Sequence, residues 1–561
     1  MSSVLIVIMG IAGMSLGWFV YSKFITEKIF KLDSKFVTPA REINDGVDFV
    51  PTNKYVLWGH HFTSIAGAAP IVGPAIAVYW GWVPAVTWVI LGTIFFAGVH
   101  DCGALWASNR HKGKSIGALA EDIIGKRTRN LFMVVVFLVL LMVNAVFGVV
   151  IAKSFINTPS AVFPSWMAIV VALIIGQLVY RKFNLIALSI AGVVALYVSV
   201  FLGSSFQFEM PEIFGLSANA NWIILLFVYA AVASTLPVWM LLQPRDFING
   251  LQLIVGLVLL YGAVFLFMPE ISAPPFNENV DFNSPSIIPL LFVTIACGAI
   301  SGFHGIVSSG TSSKQLDKET DARFVGYLGA IGEGSLALIT IVVVSGVALA
   351  STPEAWHQIY DEFGSAGVGA FVEGGANLIS QGWGLPISFT QTLLATMVIL
   401  FAGTTMDTGV RLQRYIIQEW AEIYNIPAFS KGWSATLIAV ASCLALAFGA
   451  GGASGDGGMI IWPLFGSTNQ ILASMTLLVI SIMLIKLKRP ARYTLIPMVF
   501  VLTMSFFAGV TTLITFIENE NYLLTVIEMI VLITSILVML DAVSVVSKLT
   551  KDKTNITQGE K

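Results

Sequence analysis

The sequence predicts an all-α polytopic membrane protein of about fifteen transmembrane helices. Its core is expected to be an inverted five-plus-five repeat with two broken helices, with extra helices on either side. Three observations lead there. Hydrophobic residues make up 56% of the 561-residue chain and charged residues 11%, well under the roughly 25% charge of soluble domains. The apolar residues come in long blocks such as LFMVVVFLVLLMVNAVFGVVIA (131–152), each near the ~20 residues that cross a bilayer as a helix. Two of those blocks are interrupted at their middles, one by Gly and Pro and the other by Ser, Thr and Pro. Strand-type alternation is missing, which excludes a transmembrane barrel.

The elements follow in chain order. VLIVIMGIAGMSLGWFVY is followed, not preceded, by lysines (Lys23, Lys28, Lys31, Lys35), so it reads as a retained first span rather than a cleaved signal peptide. Spans are expected at 4–24, 56–80, 83–107, 131–153, 165–180, 184–203, 221–242, 249–268, 287–310, 326–350, 387–410, 433–450, 459–485, 494–517 and 523–547. The segment 364–383, rich in glycine, is not counted as a span and reads as re-entrant or interfacial. This divides the chain into a first helix and loop (1–54), a five-helix repeat (55–203), an inverted repeat (221–410), additional C-terminal helices (433–547) and a tail (548–561).

Lys and Arg test the count, because cytoplasmic loops are enriched in them. Alternate loops are basic, including 31–54, 109–129, 314–323, 411–431 and 486–492, while FEMPE, PEISAPPFNENVD, PEAWHQIYDE and ENE are acidic. Of the 30 basic residues, Lys153 alone falls on the other side. The N-terminus is therefore expected outside and the C-terminal tail in the cytoplasm. A pI near 6.3 and a net charge of −2 give nucleic acid no footing. Cys102, Cys297 and Cys443 lie in apolar spans without disulfide or metal spacing and read as small buried residues. No loop is long enough for a soluble domain, and P-loop and GxGxxG signatures are absent, which excludes an ATP-driven pump. No cofactor and no enzymatic activity are expected; a carrier remains, with a channel or an intramembrane metalloenzyme as alternatives.

GHHFTSIAGAAPIVGP (59–74) lies inside the second span. Pro70 and Pro74 each remove a backbone donor, and Gly67 tolerates unusual dihedrals. The seventh span carries YAAVASTLPVWMLLQPRD (229–246), with Ser234, Thr235 and Pro237 near its middle. Interrupted spans at matching places in two inverted halves mark the binding site of secondary transporters. Candidate substrate-binding residues are thus His61, Ser64, Gly67, Ala68, Ser234, Thr235 and Pro237. His61 is favoured over His60 because Ser64 follows it at i+3. The ninth span, ACGAISGFHGIVSSGTSS, takes the eighth place of the repeat and offers Ser308 and Ser309 to a cation. Ionisable residues within spans are functional candidates: His60, His61, His100, Asp101, His304, Glu333, Asp407 and Asp456. His61, His100, Asp101 and His304 share one depth, with Asp407 slightly deeper. One polar cluster is expected, and it has three readings: proton coupling through Asp101, His100, His304 and Asp407, metal binding, or structural pairing.

PTNKYVLWGHHFTSIAGAAPIVGP (51–74), ASTLPVWMLLQPRD (233–246), IACGAISGFHGIVSSGTSSKQL (295–316), TTMDTGVRLQRYIIQEW (404–420) and IWPLFGSTNQILA (461–473) resemble the carbon starvation protein A family of bacterial inner-membrane transporters. The resemblance implies uptake of small carbon sources, peptides or pyruvate, with protons coupled to pyruvate carriage. It also implies kinship with the amino acid, polyamine and organocation superfamily. The expectation is a symporter for a small carboxylate, most plausibly pyruvate, driven by protons or sodium, with a peptide transporter as the alternative. Ser467, Thr468 and Asn469 of WPLFGSTNQ either line the path or cap a helix.

Overall fold

The computed structural model describes residues 2–559 apart from 47, 214, 238–239, 279, 281–284 and 456, without the side chains of 185, 186, 459 and 548–559. The candidate Asp456 lies outside the described residues. The described chain is helical throughout and forms no β-sheet. The spans are α1 (Ser3–Phe30), α2a (Lys54–Ala66) and α2b (Ala69–Ala77), α3 (Trp82–Arg110), α4 (Lys126–Asn157), α5 (Val162–Tyr180), α6 (Leu185–Gly203), α7 (Ala218–Thr235) and α8 (Leu242–Phe267). After them come α9a (Ile287–Thr294) and α9b (Gly302–Gly310), α10 (Arg323–Ser345), α11 (Ile387–Ile423), α12 (Gly432–Gly451), α13 (Gly457–Lys486), α14 (Arg492–Glu518) and α15 (Tyr522–Gly559). Every expected span has its helix or helix pair. Twelve of the helices are individually long and apolar enough to cross a membrane, and α2a with the helix after it forms a thirteenth as a bent pair.

The first break is where the sequence places it. Gly67 ends α2a at φ +46°, and the following half, 69–80, turns by 47°. The second break is not in the seventh span. Ser234 and Thr235 close α7, and Pro237 stands in the connection to α8. That proline stops a helix at its end instead of interrupting one. The second interrupted span is α9, unwound over 295–301 between two short helices. No proline stands in that unwound stretch. The ninth span is therefore itself a broken helix, and α11 packs along α4 at the centre of the molecule.

The two breaks lie side by side and run antiparallel. Gly73 of α2b meets the Thr294 carbonyl, Pro70 meets Gly298, and the Trp88 indole donates to the Ile295 carbonyl at 3.1 Å. Around them the packing is paired. α2b packs on α10 as α9b packs on α3. α8 flanks α2a as α13 flanks α9b, and α7 and α12 pack on each other and on both α4 and α11. α5 and α6 form a hairpin outside this arrangement, against α8 and α11.

Two short amphipathic helices complete the frame. Ile116–Ile123, capped by the Ser115 hydroxyl, lies on α4. Val368–Trp383 buries Phe371, Gly375 and Ile379 against α8, α10 and α11 and is too short to be a span. Loop 311–322 is held by ion pairs. Glu319 is buried, accepts from Arg110 at 2.5 and 2.7 Å, and accepts the Asp33 amide at 2.6 Å. The Arg41 guanidinium hydrogen-bonds Asp317 and holds its carboxyl below the usual range.

A Cβ at Gly73 would sit 2.3 Å from the Thr294 carbonyl oxygen, which is backbone and cannot move aside. Gly73→Val is expected to lower stability by roughly 1–3 kcal/mol, the cost of overpacking, as read by thermal unfolding of the purified protein in detergent.

Candidate functional site

Two cavities approach the first break from opposite ends. One, of about 670 Å³, lies among the basic loops and is lined by His60, Ser64, Asp246, Ser309, Thr408 and Arg411, with Lys112, Lys114 and Lys314 farther out. The other, of about 530 Å³, is lined by Val72, Lys153, Asn157, Glu373 and Gln391 and by the glycine-rich 364–370. Ser64 faces the first and Val72 the second. Between them 65–71 is buried. Gly67 is backed there by Thr405 and Phe147, where a Cβ would come 2.8 Å from the Thr405 hydroxyl. At this point the last carbonyls of α2a lack intrahelical partners. Pro70 has no amide, and the Ile71 and Val72 amides donate to the Ala68 carbonyl at 3.1 and 3.0 Å, so the donors the break presents between the cavities are the amides at Ala68 and Ala69.

The expected single polar cluster resolves into two. In the first, Asp101 on α3 accepts from His100 Nδ1 at 2.7 Å and from His304 Nδ1 at 2.9 Å. His304 Nε2 lies 3.2 Å from Glu333 of α10, and Cys297 from the second break completes the group. All five residues are buried, and none lines either cavity. His100, Asp101 and His304 are thus brought together as the shared depth suggested. His61 stands beside them, its Nδ1 2.8 Å from the Ser312 hydroxyl and its ring against Gly329.

Asp407 belongs to the second network. It pairs with Arg245 and accepts the Tyr229 hydroxyl at 2.8 Å. Arg245 is also 3.4 Å from Asp246, and Asp246 is 3.4 Å from His60 Nδ1. The chain His60–Asp246–Arg245–Asp407–Tyr229 joins α2a, α8, α11 and α7. Arg245, which the loop pattern places outside the membrane, is 3% exposed within α8.

Ser64 shares its face with His60, not His61. Its hydroxyl donates to the His60 carbonyl at 2.8 Å, and His60 and Ser64 line the cavity together, with His60 the partly exposed member of the pair. Four residues advance a helix by about 400°, leaving a 40° offset, while three leave 60° the other way. Ser309 lines the cavity and caps the helix at 116–123 by accepting the Ile116 amide at 3.0 Å, while the buried Ser308 hydroxyl has no hydrogen-bond partner among the described residues. Ser234 and Thr235 donate to carbonyls of their own helix, and Arg411 donates to the Leu236 carbonyl at 2.6 Å. In WPLFGSTNQ, Asn469 is a cap: it accepts the Phe303 amide at 2.9 Å at the start of α9b and donates to Ser301 at 3.0 Å. Ser467 and Thr468 donate back to the Leu464 carbonyl.

Sequence reasoning missed Arg245, Asp246, Cys297 and Thr405, and it left Glu333 unassigned. Two adjacent charges in LLQPRDFING, just ahead of a long apolar run, were the available signal for Arg245 and Asp246. For Cys297 and Thr405 there was none, since small residues abound in membrane helices.

A family model described as carbon starvation protein CstA matches residues 2–352 and 343–508. The peptide transporter CstA of Campylobacter jejuni is 32% identical, covering 93% of this chain and 82% of its own length. That of Bacillus subtilis is 31% identical, covering 91% and 90%. The pyruvate/proton symporter BtsT of Escherichia coli is 31% identical, covering 84% and 75%. Among solved structures, a mutant manganese transporter of Eremococcus coleocola aligns with a TM-score of 0.48 at 11% identity, covering 90% of this chain and 99% of that one. MhsT in complex with L-phenylalanine aligns at 0.46 and 11%, covering 88% and 99%.

The Arg245–Asp407 pair yields a stability prediction. Arg245→Met leaves a buried carboxylate without its partner and is expected to cost on the order of 3–5 kcal/mol. Arg245→Met with Asp407→Leu removes both charges and is expected to recover most of that loss, as read by thermal unfolding of the three proteins.

Proposed function

The chain belongs to the carbon starvation protein CstA family, and we propose that it is a secondary-active symporter that takes up a small carboxylate such as pyruvate by alternating access. It is a multi-pass membrane protein whose relatives are transporters. The observation that carries the reading is the pair of cavities stopping on either side of one buried helix break, at Ser64 and at Val72. A channel needs a continuous path; a carrier needs two half-paths and a site between them. The carboxylate would be held at Ser64, Gly67 and Ala68, where α2b begins and its amides favour an anion. The repeats would be 54–267, with α5 and α6 inserted, and 287–486. Rocking of α2, α3, α9 and α10 against α4, α7, α8, α11 and α12 would close one cavity as the other opens. The setting is a bacterial inner membrane, with the N-terminus outside and the basic loops and C-terminal tail in the cytoplasm.

The coupling proton is assigned to His60 and Asp246. A coupling group must meet solvent and must feel the motion. His60 and Asp246 line a cavity and reach across from α2a to α8, whereas His100, Asp101, His304 and Asp407 are sealed. Asp246 is also tied through Arg245 to Asp407, so protonation at His60 would be felt in α11 and α7.

A short peptide is the second reading, and one observation favours it. The cavity of about 670 Å³ carries both cations and anions, with Lys112, Lys314 and Arg411 facing Asp48, Asp246 and Glu419. That suits a zwitterion larger than pyruvate.

The test is uptake of labelled pyruvate into proteoliposomes under an inward proton gradient, with and without sodium. Proton-driven accumulation is expected. His60→Ala and Asp246→Asn are expected to lose gradient-driven accumulation while retaining pyruvate exchange across the membrane. A strict sodium requirement would shift coupling away from His60 toward Ser308. Competition by dipeptides with no pyruvate uptake would replace pyruvate with peptide as the substrate.

A further inference from the structure

Cys297, His304 and Glu333 play no part in the transport path described above, yet their chemistry is pointed. They come from the unwound 295–301 segment, from α9b and from α10. Their sulfur, nitrogen and carboxylate oxygen lie within 4.8 Å of one another, and all three residues are buried. We propose that these three side chains bind a divalent transition-metal ion of the zinc class, which clamps the second helix break to α10.

The argument begins at His304. Asp101 accepts from Nδ1 at 2.9 Å, so the tautomer with its proton there turns the Nε2 lone pair toward Glu333. Nε2 and Glu333 Oε2 are 3.2 Å apart. Two acceptors at that distance repel unless a proton or a metal ion lies between them. A tetrahedral ion bound at roughly 2.0–2.1 Å to nitrogen and oxygen separates those two atoms by about 3.3 Å. Beside the Gly298 amide and His304, neither Glu333 oxygen makes a well-formed hydrogen bond, so the carboxylate has ligand capacity to spare.

The third donor selects the metal. Cys297 Sγ donates to Ser301 Oγ at 3.3 Å and stands 3.9 Å from Asn469 Nδ2. A thiolate beside an imidazole suits zinc and its neighbours, not sodium, magnesium or calcium. Binding would release the thiol proton, so Cys297 thiolate and Glu333 carboxylate would together neutralise a 2+ charge. That balance matters in a site closed to water. The surroundings also match a metal site in their outer layer. A carboxylate on the far nitrogen of a ligating histidine fixes its tautomer and orientation, and Asp101, itself held by His100 at 2.7 Å, stands there. Three protein ligands leave a fourth position open.

The test is metal content, independent of transport. Purified wild-type protein, stripped with chelator and incubated with zinc or cobalt, is expected to retain one ion per chain after desalting. The cobalt form is expected to show a thiolate-to-cobalt charge-transfer band. Cys297→Ser should abolish that band, Glu333→Gln should lower retention at least tenfold, and Cys443→Ser, in α12, should change neither. Each variant is first checked for a monodisperse elution. For any variant that fails this check, X-ray absorption of the cobalt-loaded wild type decides, with one sulfur neighbour expected. Zero retained metal in the wild type would overturn the proposal and leave a proton between His304 and Glu333. So would unchanged retention in Cys297→Ser and Glu333→Gln together, or a cobalt environment without sulfur.

Discussion

A helix interrupted inside a bilayer must find partners for every backbone group it frees, since lipid offers none. This protein faces that constraint twice, at Gly67–Ala68 and at 295–301, and much of its architecture serves the second. The Trp88 indole and the Thr93 hydroxyl donate to the Ile295 and Gly298 carbonyls. Asn469 takes the Phe303 amide, and Gln470 donates to the Phe292 carbonyl at 2.5 Å. The braces come from α3 and α13, so neighbouring spans are bound to the break. Glycine does the rest: Gly73 and Gly466 let other helices approach the Thr294 and Val293 carbonyls closely.

Charge is handled by the same logic. Burying an ionised group is costly unless partners compensate it, and most of the buried ionisable residues described here, though not Glu319 or Glu528, sit in one of two networks. Their locations differ in a way that matters. The His100–Asp101–His304–Glu333 group joins α9b and α10 to α3, on which both pack. The His60–Asp246–Arg245–Asp407–Tyr229 chain crosses from α2a to α8, α11 and α7 and opens on a cavity. Under the proposed function, the first group would hold helices together and the second would sense their separation, with the same residue types in both. Only their placement distinguishes them.

The reading of the sequence succeeded where period and composition speak. The spans, the first break and the common level of His100, Asp101 and His304 follow from apolar run length, from Gly and Pro in GHHFTSIAGAAPIVGP, and from helical rise. It failed at Pro237, because proline signals an ending as readily as an interruption and span length alone does not separate the two. It also failed at the second break. CGAISG carries no proline, and its unwinding depends on braces from Trp88, Thr93 and Asn469, roughly 170 to 210 residues away in the chain. Arg245 was counted with the loops because a charge beside a span end is ordinary. Its partner, Asp407, is 162 residues distant.

By itself, then, the sequence determined that this chain is a bundle of twelve or more membrane helices, where most of them begin and end, and which polar residues lie within the apolar spans, since each of these follows from local apolar length and helical geometry. Tertiary structure alone decided which of those polar residues meet, which histidine faces the cavity, and which helix breaks opposite the first. Such matters rest on lateral neighbours, and a run of apolar residues says how deep a side chain sits but not beside whom.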